Sequence, residues 1–160
     1  MLNIKIICVG RLREKFYTDA FNEYARRLGA YCRFECVELT ETKLGDDPSE
    51  KEIHNALIKE AVDIEKAIPK DAYVFALCVG AKQLKSEELA QKINSLAVSG
   101  KGKICFIIGG SFGMAESVKE RADVKLGMSE MTFPHHLARV MLAEQIYRSF
   151  KIMEGSHYHK

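Results

Sequence analysis

An α/β fold built on a mainly parallel sheet is predicted by three features of the 160-residue sequence. Short runs rich in β-branched and aromatic residues alternate with helical stretches along the whole chain. Two of the runs, "AYVFALCV" and "KICFIIGG", are apolar at both odd and even positions, as strands covered on both faces must be. Glycines and polar clusters fall between the runs, where strand-to-helix turns are needed. The length suits a single domain over residues 1–160.

Taken in order, "NIKIICV" is β-branched and strand-like, and Gly10 ends it. Leu12, Phe16, Ala20, Tyr24 and Leu28 recur at helical spacing, predicting a helix whose apolar stripe faces the core and stops at Gly29. "CRFECVEL" alternates as a second strand. The acidic, turn-rich "ETKLGDDPSEKE" predicts a mobile loop, a candidate lid, before a helix over about 48–67. A buried strand over 72–79 precedes the helix "SEELAQKINSLA", with Ser86 as its expected N-cap. Another buried strand over 103–110 runs into a glycine turn and a helix, and 124–126 supplies a short last strand.

The final helix is predicted over 131–153, with Pro134 in its first turn, where no backbone donor is needed. Leu137, Val140, Met141, Leu142, Ala143, Ile146, Tyr147, Phe150 and Met153 cover more than one stripe of it. Such a face is expected to bury against both its own sheet and a second subunit.

Composition narrows the function. With 47% apolar and 29% charged residues the chain is neither disordered nor fibrous. No apolar run approaches the roughly 20 residues of a membrane span, and Lys5 interrupts the apolar start, so a cytoplasmic protein is expected. Five cysteines, Cys8, Cys32, Cys36, Cys78 and Cys105, form no C-x-x-C pair and read as small core residues.

The net charge of +2 is unevenly spread. Residues 1–33 hold seven Lys/Arg against three Asp/Glu, and residues 34–71 five against eleven. Arg11, Arg13, Lys15, Arg26 and Arg27 therefore either meet phosphates or form a solvated helix face.

"FIIGGSFGMAESV" sets Gly109, Gly110 and Gly113 between a strand and a helix. It is neither G-x-G-x-x-G nor a P-loop, so the turn serves either tight geometry or close approach to a ligand. Of the five histidines, neighbouring His135 and His136 would point about 100° apart on a helix. His157 and His159 alone fall short of the four ligands a zinc site needs, so no metal is expected. No G-x-S-x-G context supports a serine nucleophile.

Three stretches, "VGRLREKFYTDAFNEYARRL", "FIIGGSFG" and "MTFPHHLARVMLAEQIYRSFKIMEGSHYHK", resemble the small RlmH-type SPOUT methyltransferases, and the resemblance spans essentially the whole chain. It implies a homodimer with a carboxyl-terminal trefoil knot that transfers methyl from S-adenosylmethionine to N3 of a pseudouridine in large-subunit ribosomal RNA, within the assembled ribosome. Position by position it implies a cofactor pocket of Leu77, Gly109, Gly110, Met128, Ser129, Glu130, Met131, Thr132 and Phe133. His135, Arg139, Tyr158 and His159 would stand near the target base, with His157 and Lys160 holding RNA or ordering the tail. The tail of one subunit is expected to complete the pocket of the other. Cys78 stands where the family commonly has an acidic residue, and Ala81 where it has glycine. A non-catalytic rRNA-binding protein of the same fold is the alternative. An oxidoreductase would need the dinucleotide fingerprint and its ribose-binding acid.

Overall fold

The computed structural model describes residues 1–159. Strands β1 (Asn3–Val9), β2 (Arg33–Leu39), β3 (Tyr73–Leu77), β4 (Lys103–Ile108) and β5 (Val124–Leu126) form one sheet in the order β2-β1-β4-β3-β5. Every pair in it is parallel. Helices α1 (Lys15–Leu28), α2 (Glu50–Ala67), α3 (Ser86–Val98), α4 (Glu116–Arg121) and α5 (His135–Met153) lie between and after the strands.

The pleat of each strand explains the layers. Ile4, Ile6 and Cys8 of β1, with Phe75, Ile104, Phe106 and Ile108, point to a core shared with α1, α3 and α5. Ile7, Val9, Val74, Ala76, Cys105 and Ile107 point the other way, to α2 and α4. Right-handed crossovers demand this division: leftward steps in the sheet carry α1 and α3 on one face, and rightward steps carry α2 and α4 on the other. All five strands thus end at one edge, where an open parallel sheet receives its ligands.

Several expectations need correction. Ser86 is the first residue of α3 and not its cap; its hydroxyl donates to Gln145 Oε1 at 2.6 Å, pinning α3 to α5. Residues 131–134 are irregular, and α5 begins only at His135, with Pro134 as the extended residue before it (ψ 140°). Phe16 is 66% exposed instead of facing the core, because the buried residues of α1 begin at Phe21. Ser49 caps α2, its hydroxyl accepting from Glu52 N–H at 3.2 Å.

All five cysteines are free. Cys8, Cys32 and Cys105 are buried, Cys36 is half-buried, and Cys78 sits just past the end of β3. Among the described residues no helix is long and apolar enough to cross a membrane.

Candidate active site

Three loops meet at the carboxyl edge of the sheet: residues 78–85 after β3, 109–115 after β4 and 127–134 after β5. The first and third are packed backbone against backbone. Gly127 N–H donates to Lys82 O at 3.0 Å, and a side chain at Gly127 would run into the carbonyl of Ala81. Gly109 lies as close to the carbonyl of Gly113, so neither position has room for a Cβ.

Between the loops lies a cleft of about 560 Å³. Leu77, Gly109, Gly110, Met128, Ser129, Met131, Thr132 and Phe133 border it, and so does His135 from the first turn of α5. Glu130 is exposed and lies outside its lining. Cys78 lines it too, and so do Ile108, Ser111 and Ala138, which the sequence did not single out.

Behind the cleft, carboxylates from the β2 side hold its wall. The Glu41 carboxylate lies over Gly110, where Oε1 would come within 2.6 Å of an added Cβ, and accepts from Ser111 N–H at 2.8 Å. The next residue, Thr42, donates its N–H to Glu60 at 2.8 Å. Burial pushes the Glu60 carboxyl above its ordinary range. The start of the predicted lid is therefore stitched to the glycine turn and to α2.

Arg139 is only 2% exposed. Its guanidinium donates to Glu38 Oε2 at 2.6 Å and to Gly10 O at 2.9 Å, and the same Glu38 oxygen accepts from Leu12 N–H at 2.9 Å. Burial pushes the Glu38 carboxyl up, but the hydrogen bonds from Arg139 and Leu12 outweigh it and the net shift is downward. Arg139 thus joins the first turns of α5 to the ends of β1 and β2.

His135 is half-buried, and its Nε2 is buried without a hydrogen-bond partner. Burial lowers its pKa, and neighbouring His136 and Arg139 add to the effect, so the ring is neutral near pH 7. The two histidine rings do not diverge as expected; their centroids are 4.1 Å apart, and His136 Nδ1 lies 3.5 Å from Glu14. Among the described residues no three His, Cys, Asp or Glu side chains are grouped to hold a metal.

Tyr158 and His159 lie elsewhere, in a 3₁₀ turn (His157–His159) folded back on α5. Tyr158 donates its hydroxyl to Glu144 at 3.0 Å, with the Arg148 guanidinium 4.8 Å from its ring centroid, and His159 Nε2 sits 2.7 Å from Glu87. Glu144 is nine residues beyond His135, about 13 Å along the helix. Glu144 also borders a groove of about 420 Å³ between α1, α3 and α5, which shares Leu126 and Met128 with the cleft. Within one chain, then, His135 and Arg139 come together while Tyr158 and His159 stand apart from them. His157 is exposed, and Lys160 lies outside the described residues.

A family model described as "Predicted SPOUT methyltransferase" matches residues 2–159. The ribosomal RNA large subunit methyltransferase H of Clostridium beijerinckii is 50% identical over 159 residues, covering 99% of this chain and 100% of that protein. The protein of the same name from Bacillus pumilus is 45% identical with the same coverage. Among solved structures, a probable methylase family protein from Haemophilus influenzae Rd KW20 shares the fold, with a TM-score of 0.56 at 14% identity over 96% of this chain and 67% of that one.

Proposed function

The chain belongs to the SPOUT methyltransferase family, and from that membership we propose that it transfers methyl from S-adenosylmethionine to N3 of a pseudouridine in large-subunit ribosomal RNA. The observation that carries the reading is the cleft bordered by these three loops, at the sheet edge where such a fold takes its ligand. Its volume lies in the range of small-cofactor sites, Leu77, Ile108 and Phe133 offer apolar walls to a flat ring, and the irregular 128–134 backbone can meet polar edges. A trefoil knot is part of the proposal. The contacts of Gly127 with Ala81 and Lys82 are of the kind a threaded chain requires, and glycine is the residue that permits them.

When bound, the cofactor supplies an electrophilic methyl group, and N3 must shed its imide proton as the new N–C bond forms. Positioning does most of the work in such a transfer. His135 lines the cleft with its pKa lowered by burial, and its imidazole is the proposed acceptor of that proton; its Nε2 is buried beside Gly10 and has no partner. Arg139 acts as a positioning residue that fixes the turn carrying His135. Tyr158 and His159 belong to the base side of the site, and a second copy delivers them. The groove beside Glu144, sharing Met128 with the cleft, gives a crossing tail a path. The working protein is therefore a homodimer acting in the cytoplasm on ribosomal particles.

Mass spectrometry of large-subunit rRNA from cells with and without the gene tests the reaction. Loss of one methyl from a single pseudouridine is expected, and unchanged rRNA would sink the proposal. Calorimetry tests the cleft: Gly109→Val should remove S-adenosylmethionine binding, since no side chain fits against Gly113.

A further inference from the structure

We infer that the first turn of α1 is a stacking platform for an unpaired RNA base near the methylated nucleotide, with Arg11 and Arg13 holding the phosphates beside it. The inference rests on the rRNA-methyltransferase reading and extends it to a surface outside the cleft.

Phe16 is 66% exposed on a helix whose other phenylalanine, Phe21, is buried. It does not stand alone. Its ring centroid is 4.3 Å from that of Tyr17, Tyr17 meets His136 edge-on at 6.3 Å, and His136 is 4.1 Å from His135, which borders the cleft. The four rings form a continuous path from the cleft wall to the tip of α1.

Two arginines precede the platform in the chain. Arg11 and Arg13 are exposed and enter no ion pair among the described residues. The nearby acids are engaged: Glu14 lies 3.5 Å from His136, and Asp19 pairs with Lys15 at 2.5 Å. The surface therefore offers one open aromatic ring with two unspent cations a few residues before it in the chain. An unstacked nucleotide matches both parts, because any base can lie on a ring while its phosphates meet arginines. A protein partner would call for a contiguous apolar patch, whereas Phe16 is surrounded in sequence by Arg13, Glu14, Lys15 and Asp19.

The test compares the wild type with Phe16→Trp, Phe16→Leu and a double Arg11→Ala, Arg13→Ala variant. KM and kcat are measured on unmethylated large ribosomal subunits. Fluorescence anisotropy over a salt series measures Kd for a labelled single-stranded oligoribonucleotide of about ten nucleotides. Phe16→Leu should raise KM and Kd on the order of tenfold, and Phe16→Trp should restore both, which an apolar packing role would not predict. The double variant should flatten the plot of log affinity against log salt by about 1.4, two contacts at about 0.7 each. Cofactor affinity should not move, because Phe16 is outside the cleft lining. Wild-type KM and Kd for Phe16→Leu would overturn the platform. So would a change in sedimentation mass, which would give the surface to a second copy of the chain. A wild type that methylates no rRNA, yet binds the oligonucleotide through Phe16, would defeat the enzyme reading and leave the platform standing.

Discussion

The two ends of α5 are built differently. At its amino end, Arg139 is buried and grips both a carboxylate and a backbone carbonyl, while glycine contacts lock the loops around the cleft. At its carboxyl end, Tyr158 and His159 rest on partly exposed Glu144 and Glu87 through contacts that water can replace. The first end is preformed and costly to disturb; the second is held by groups that can exchange one partner for another. A site assembled from both would keep its cofactor half rigid and bring in its base-facing half from outside.

The largest test of this contrast is to remove the weak end. Deleting residues 156–160 should lower methyl transfer more than a hundredfold, by loss of positioning, while changing stability by only about 1 kcal/mol. Mixing that variant with Gly109→Val subunits should restore up to about half the wild-type rate per dimer, since one pocket then has both cofactor and tail. Inactivity after verified subunit exchange would place the tail in its own subunit's site. Sedimentation should meanwhile give a particle of twice 18.1 kDa.

Next comes the strong end. Arg139→Met strands Glu38 and the Gly10 carbonyl, and should cost about 3 kcal/mol, a fall in Tm on the order of 10 °C in thermal unfolding. Arg139→Lys should recover only part of it, because a single ammonium cannot reproduce the fork. A Tm unchanged in Arg139→Met would return this residue to a purely chemical role.

A smaller effect is expected at the cleft wall beside the strong end. Glu41→Ala frees Ser111 N–H and should weaken cofactor binding about fivefold in calorimetry, whereas Glu41→Gln, which keeps an acceptor, should stay near wild type. Equal affinities in all three proteins would make the contact incidental.

The smallest difference is in pH. His135 has a lowered pKa in the folded protein, so the unfolded chain binds its proton first; stability should be full above pH 6.5 and decline as pH falls below it. Tyr158 behaves oppositely: burial, reinforced by Glu144, raises its pKa to about 12, so its contribution is full below pH 10 and is lost as pH rises towards 12. Denaturant titrations of His135→Asn and Tyr158→Phe should each flatten one arm of the pH profile and spare the other.

What could be read from the sequence was local. The alternation of strand and helix, the unbroken apolar runs of β3 and β4, and the glycine turn all lie within short windows, and the structure reproduces them. Periodicity placed Phe16 on the core stripe because it cannot see where a helix overruns its sheet. The expected start of α5 comes too early because apolar Met131 and Phe133 fit a helical pattern although they border the cleft. Glu38 and Glu41 went unnoticed for another reason: their partners are Arg139 and Ser111, far along the chain, and nothing near either glutamate marks it. Of the residues the resemblance implies for a pocket, all but Glu130 border the cleft, a placement that periodicity could not foresee.

The order of the sheet also governs how the protein is made. Asn3 at the start of β1 pairs with Lys103, so the middle of the sheet stays open during synthesis until β4 has emerged. The wall from Met128 to Phe133 and the helix bearing His135 come later still. A nascent or truncated chain can therefore close its sheet before the cleft has its third wall, which forms only once residues 128–135 have emerged.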